Sequence, residues 1–215
     1  MKKVLLINGS PRKKWNTAML LEKAAEGAAE AGAQIRLVNL YELNFRGCAS
    51  CFACKRHKDP AAVCILRDDL RPLLEEAMLS DAVIMGSAIY FGNATAGMRA
   101  LWERLLFMNY TYDNSRPSKF GGSIATGVIY TMNVTGPMLV ELGYEPMFKA
   151  QSATLARVLN GPSEYLAVTD TLQFSDHSAY MSSSFDPEHK ARMREEKFPK
   201  DLEAAYRLGA RLGAD

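Results

Sequence analysis

Residues 4–17 read Val4-Leu5-Leu6-Ile7, then Asn8-Gly9-Ser10-Pro11-Arg12-Lys13-Lys14-Trp15, then Asn16-Thr17. The apolar run is short, continuous and flanked by β-branched residues. It predicts a strand buried on both faces over Val4–Ile7, closed by a turn at Asn8-Gly9-Ser10-Pro11. From Thr17 to Ala31 the chain is rich in Ala, Leu, Met and Glu at helical spacing, with Gly32 just beyond. That predicts a helix with a C-terminal glycine. Strand, polar loop and helix in this order open a parallel α/β sheet.

The pattern repeats outward. Further strands are expected over Gln34–Leu40, Ala82–Ser87, Gly122–Tyr130 and, more weakly, Tyr165–Leu172. Helices are expected over Asp68–Leu79, with Asp68 as N-cap, over Asn93–Met108 and over Pro137–Gly143. Pro187–Leu212 is helical in composition, with Pro199 breaking it in two. Strands alternating with helices predict an α/β fold: a doubly wound, five-stranded parallel sheet with helices on both faces. Its order should be the flavodoxin-like 2-1-3-4-5. One domain over residues 1–215 is expected. It carries a cysteine-bearing loop at 41–67 and a C-terminal extension at about 173–215.

The chain has 215 residues, 48% of them hydrophobic and 23% charged, and a net charge of +2. This composition is globular and argues against wholesale disorder. The balanced charge gives no reason to expect nucleic acid or an anionic membrane as partner. Ala82–Gly97 is the longest nearly charge-free stretch, too short for a membrane helix of ~20 residues. The apolar run after Met1-Lys2-Lys3 is shorter than the ~7–15 residues of a secretory signal. A cytoplasmic protein is expected.

In open α/β sheets, ligands bind beyond the carboxyl ends of the strands. The loop after the first strand offers hydroxyls, an amide, three cations and the backbone N–H groups of a helix N-terminus, which together suit a phosphate. It carries neither G-x-x-x-x-G-K-[ST] nor G-x-G-x-x-G, and Asn39 stands where a ribose-binding acid would close the second strand. These absences favour a mononucleotide phosphate over NAD held in the Rossmann manner. The loop after the third strand, Gly86-Ser87-Ala88-Ile89-Tyr90-Phe91-Gly92-Asn93, sets two aromatics among small residues, which suits a planar ligand or plain core packing.

Gly-Ser-Pro-Arg with a following Asn-Thr, and Ile-Tyr-Phe-Gly-Asn-x-Thr-x-x-Met-Arg-Ala, resemble the flavodoxin-like NADPH-dependent FMN reductases, in particular the iron–sulfur flavoproteins. The resemblance covers residues 1–135 in motif order. It implies that Ser10, Arg12, Asn16 and Thr17 bind the FMN phosphate. Ala88, Ile89, Tyr90, Phe91, Gly92 and Asn93 would line the flavin ring, and Tyr130, Thr131, Met132 and Asn133 would form a third contact. The flavin carries the chemistry, so no catalytic side chain is expected.

Cys48, Cys51, Cys54 and Cys64 are spaced C-x2-C-x2-C-x9-C. Clustered thiols in a cytosolic chain are seldom disulfides. The run can hold a [4Fe–4S] cluster, the signature from which the iron–sulfur flavoproteins take their name. Three cysteines with His57 or Cys64 can hold zinc. Reduced, packed thiols are the third reading, and the nine-residue last gap, longer than in cluster-bearing members, weighs toward it. The segment is expected beside the flavin. His57, His177 and His189 read as surface residues.

The whole is expected to be an FMN-dependent oxidoreductase, taking hydride from NAD(P)H and passing electrons to a quinone, flavin or redox protein. Its alternatives are an electron carrier without a small-molecule substrate and a scaffold that has lost its flavin. The long loop and the polar, aromatic 173–186 segment exceed what a monomer needs, so a homodimer or homotetramer is expected.

Overall fold

The computed structural model describes residues 1–57 and 61–214. Residues 58–60, part of the 41–67 loop, and residue 215 lie outside the described residues. Strand β1 (Lys3–Asn8) leads through the first loop into α1 (Asn16–Glu30), and β2 (Gln34–Asn39) follows. After the cysteine loop come α2 (Leu70–Ala77), β3 (Ala82–Tyr90), the two-residue β4 (Asn93–Ala94) and α3 (Ala96–Asn109). Then follow β5 (Ala125–Thr131), α4 (Gly136–Glu141), α5 (Tyr144–Leu159) and β6 (Ser163–Val168). The chain closes with α6 (Pro187–Glu196) and α7 (Phe198–Gly213).

The sheet runs β2-β1-β3-β5-β6, and β4 pairs antiparallel with the end of β3. Counting only the five parallel strands, this is the expected 2-1-3-4-5 order. The sixth strand was not foreseen. β3 runs three residues past Ser87 and folds back on itself at Phe91 (φ 49°) and Gly92 (φ 78°). The helix expected from Asn93 therefore starts at Ala96, where Thr95 caps it by accepting the Met98 N–H at 3.3 Å.

Strand parity builds the two cores. Leu5 and Ile7 face a layer under α2, α3 and α5, with Met85, Leu101, Val128 and Phe148. Val4 and Leu6 face the other, under α1 and α7, with Leu20, Ile84, Ile129 and Leu208. β2, by contrast, is a largely exposed edge. Two further expectations need correction. The fifth strand begins at Ser163 and ends at Val168, because residues 169–172 leave the sheet to pair with the segment after β5. Asp68 does not cap α2, which begins at Leu70 without a side-chain cap. Its carboxylate instead receives the buried Arg104 guanidinium at 2.6 and 2.8 Å.

α1 and α7 pack backbone to backbone. A Cβ on Gly209 would stand 1.8 Å from the Ala24 carbonyl oxygen, and one on Gly27 would stand 2.1 Å from that of Tyr206. Gly209→Ala should therefore destabilise the fold. Forcing the helices apart costs up to ~3 kcal/mol, against ~1 kcal/mol gained in helix propensity. A thermal denaturation midpoint at or above the wild-type value would show that the helices separate without cost.

Candidate functional site

The parallel register brings the carboxyl ends of β1, β3 and β5 to one edge, with Asn8 beside Gly86 and Ala88 beside Thr131. A cleft of about 110 Å³ opens there. Its first wall is the loop after β1. The Ser10 N–H donates to Asn8 Oδ1 at 3.0 Å, and Ser10 Oγ accepts the Arg12 N–H at 3.2 Å, which makes a tight turn. Close approach to β3 is allowed by glycine. The Gly9 N–H donates to the Gly86 carbonyl at 2.8 Å, and a Cβ on Gly9 would stand 2.7 Å from Met98 Cε. No side chain caps α1 and no acid sits in its first turn. The positive end of that helix therefore faces the cleft with its first N–H groups free of helical partners.

Ser10, Arg12, Asn16 and Thr17 all line this cleft. Arg12 is exposed and donates to the Gln173 carbonyl at 2.5 Å, with its guanidinium over the Trp15 ring. Thr17 Oγ1 lies 2.7 Å from Thr131 Oγ1, which ties the first wall to the third. Asn16 is held at both ends of its amide. Its Nδ2 donates to the Leu172 carbonyl at 2.8 Å, and its Oδ1 accepts from Arg194 at 2.9 Å.

Ala88, Ile89 and Tyr90 form the second wall, and Thr131, Met132 and Asn133 the third. The remaining ring-binding expectations fall elsewhere. Phe91, Gly92 and Asn93 form the β3–β4 hairpin tip outside the lining, and Phe91 is fully exposed. Tyr130 is a core residue, because its strand position points to the opposite face from Thr131. Its ring stacks on Phe148 with centroids 4.0 Å apart, and burial pushes its phenol well above the ordinary range. Asn133 Oδ1 is buried with no hydrogen-bond partner among the described residues.

Three lining residues carried no sequence signal as site residues: Trp15, Thr171 and Gln173. The last two lie on a segment that stitches the walls together. The Trp15 indole N–H donates to the Leu172 carbonyl at 3.1 Å, and the Thr171 N–H donates to that of Met132 at 3.1 Å. Asp170 precedes them in the left-handed region (φ 59°). Its buried carboxylate accepts from Lys190 and lies 2.6 Å from His189 Nε2. Burial works against that carboxylate, but hydrogen bonds and charge from Lys190 and His189 outweigh it, so the carboxyl sits below its usual range. His189 is thus a partner of Asp170 and not a bare surface residue, and His177 keeps a buried Nε2 with no partner among the described residues.

Cys48, Cys51, Cys54 and Cys64 all line one small cavity against the second half of α3, beside Phe107 and Met108. All four thiols are free, and His57 does not reach this cavity. Among the described residues no three His, Cys, Asp or Glu side chains stand in a metal-holding arrangement. Lys119 donates to the Cys54 carbonyl at 3.2 Å, and Lys55 donates to the Phe107 and Tyr110 carbonyls. Burial pulls both ammonium groups below their usual range. The cysteine cavity shares no lining residue with the cleft. The loop starts at the carboxyl edge, where Lys13 pairs with Glu42, then runs along α3 to meet Arg104.

The sheet order and the cleft at its carboxyl edge define a flavodoxin-like α/β protein. The family model of the NADPH-dependent FMN reductases matches residues 2–155, and the chain belongs to that family. It is 30% identical over 125 residues to an iron–sulfur flavoprotein of Methanocaldococcus jannaschii, covering 58% of this chain and 62% of the relative. To an iron–sulfur flavoprotein of Archaeoglobus fulgidus it is 35% identical over 102 residues, covering 47% and 48%. The chain thus spans about half to three-fifths of the length of these relatives. Among solved structures, an NAD(P)H:quinone oxidoreductase from Methanothermobacter marburgensis superposes with a TM-score of 0.67 at 16% identity, covering 100% of this chain and 98% of that one. An azoreductase from Bacillus anthracis superposes with a TM-score of 0.66 at 14% identity, covering 98% and 100%. At such identities the likeness shows the fold. No helix among the described residues is long and apolar enough to cross a membrane.

Proposed function

We propose that the cleft binds FMN and that the protein is an NAD(P)H-dependent oxidoreductase passing electrons to a quinone, a flavin or a redox protein. The observation that carries this reading is the polarity of the cleft. One end has an uncapped helix N-terminus with Ser10, Arg12 and Thr17, which suits a phosphate dianion. The other end has the orphaned acceptor Asn133 Oδ1, which suits a ring N–H donor. Ala88, Ile89 and Tyr90 supply an apolar and aromatic wall between them. Bound FMN would supply the one- and two-electron chemistry. The chain binds it, orients it and leaves one side of the cleft open to a second reactant.

A [4Fe–4S] cluster on Cys48, Cys51, Cys54 and Cys64 is the second reading, supported by all four cysteines lining one cavity, though no three of them stand in a metal-holding arrangement. The donor set fits the group, and Lys55 and Lys119 bring positive charge toward it. At about 20 Å³ the cavity is tight, and the loop would have to open to admit four iron atoms. Four free cysteines support a reducing compartment, the cytoplasm. Exposed apolar side chains near the sheet's carboxyl edge, Phe91, Met138, Val140 and Leu142, support a homodimer or homotetramer.

One anaerobic experiment tests the enzyme reading. Protein reconstituted with FMN should show two resolved flavin bands that bleach rapidly on adding NADPH. Reduction by dithionite or reduced ferredoxin alone would identify an electron carrier instead. A broad absorbance extending beyond the flavin bands, with iron near four atoms per chain, would establish the cluster.

A further inference from the structure

We infer that α6, which lies outside the matched residues 2–155, is a two-ended brace for the cleft. Arg194 sets the phosphate end through Asn16, and Lys190 sets the ring end through Asn133. The inference rests on the FMN reading above.

The two cations reach different walls from one helix. Arg194 donates to Asn16 Oδ1 at 2.9 Å and contacts Met19 Sδ, so it grips the start of α1. With Nδ2 given to the Leu172 carbonyl, Asn16 has no freedom to turn, and the first turn of α1 is held against the loop. Lys190, four residues earlier and so on the same helix face, is buried. Its Nζ donates to the Asn133 carbonyl at 2.8 Å and to Asp170 Oδ1. The Asn133 main chain is thereby fixed while its side-chain oxygen stays without a donor in the cleft wall. Asp170 in turn donates its N–H to the Val134 carbonyl at 2.8 Å, so the pair closes a loop around residues 132–134.

A buried ion pair contributes little net stability, because the desolvation of both charges offsets their attraction. What Lys190–Asp170 supplies is position. It joins α6 to the segments after β5 and β6, which share no other buried ion pair among the described residues. Lys190 and Arg194 are positioning residues: neither lines the cleft, and each acts through an asparagine that does.

The two ends of the brace make separable predictions, because riboflavin keeps the ring and lacks the phosphate. FMN and riboflavin are titrated separately into apo-protein, followed by quenching of flavin fluorescence, with circular dichroism melts as a check on folding. Arg194→Met should weaken FMN about tenfold and leave riboflavin within about twofold, since one charged hydrogen bond supports the phosphate end only. Lys190→Met combined with Asp170→Asn, which removes both charges and strands neither, should weaken both flavins about tenfold and keep their ratio. Lys190→Arg should restore much of the loss. Parallel losses in both variants would reduce α6 to a general support and overturn the proposal, as would unchanged affinities. Failure of wild-type protein to bind either flavin would instead reject the FMN reading itself, and the brace with it.

Discussion

Arg104→Met should lower the stability of the fold by about 3 kcal/mol and free the cysteine loop before the sheet unfolds. The Arg104 side chain is fully buried and holds Asp68 through two short contacts. It also donates to the carbonyls of Arg46 at 3.2 Å and Leu66 at 3.5 Å, so one guanidinium pins both ends of the loop that carries the thiols. Removing it strands a carboxylate that is only 17% exposed, together with two carbonyls. Breaking one side of a buried pair costs ~3–5 kcal/mol, and partial access of water to Asp68 sets the low end. Urea unfolding gives the magnitude, and hydrogen exchange over residues 44–66 gives the location. Arg104→Met with Asp68→Asn should recover part of the loss. Wild-type stability in the single variant would mean that the pair contributes nothing.

FMN retention should fall at least about a hundredfold in Arg12→Ala with Thr17→Val, whereas riboflavin binding should fall much less. Charge-assisted hydrogen bonds to a phosphate are worth ~1.5–3 kcal/mol each, and every 1.4 kcal/mol is a factor of ten. Thr17 has a second task, since its hydroxyl meets that of Thr131, so part of its effect passes through the third wall. Arg12 is exposed, and its share should shrink as salt rises. Fluorescence titration with each flavin measures both effects. Equal affinity of the wild type for FMN and riboflavin would refute a phosphate site in this loop.

The architecture was legible because β1, β3 and β5 are buried and announce themselves as apolar runs, and because Gly32 marks the end of α1. α5 was missed. Its buried positions Phe148, Ser152, Leu155, Val158 and Leu159 keep helical spacing, but Pro146 in the first turn and a polar Ser152 on the inner face obscure it. The residues expected to bind phosphate, Ser10, Arg12, Asn16 and Thr17, all line the cleft, since hydroxyls and cations between a strand and a helix are a local signal. Of the residues expected along a flavin ring, Ala88, Ile89, Tyr90, Thr131, Met132 and Asn133 border the cleft and the others do not, for reasons of parity and turning. A strand residue and its successor point to opposite faces, which sends Tyr130 to the core and Thr131 to the cleft. The hairpin at Phe91 and Gly92 needs positive φ at both, and only the glycine signals that in sequence. Asp170, Lys190 and Arg194 had no periodic signature at all. Their partners lie 19 to 178 residues away, and only the fold brings them together.

The backbone-close contact of α7 with α1 also governs the order of events during synthesis. A chain growing from its amino end makes the Gly27 face of α1 well before the Gly209 face of α7. Until then, one side of the sheet lacks its second covering helix, and Leu20, Leu21 and Ile84 have no α7 to pack against. Over that interval the nascent protein holds an apolar surface open to chaperones. The cleft can be completed only once α6 has also left the ribosome. Capture of the proposed flavin is thus postponed until α6 has been made.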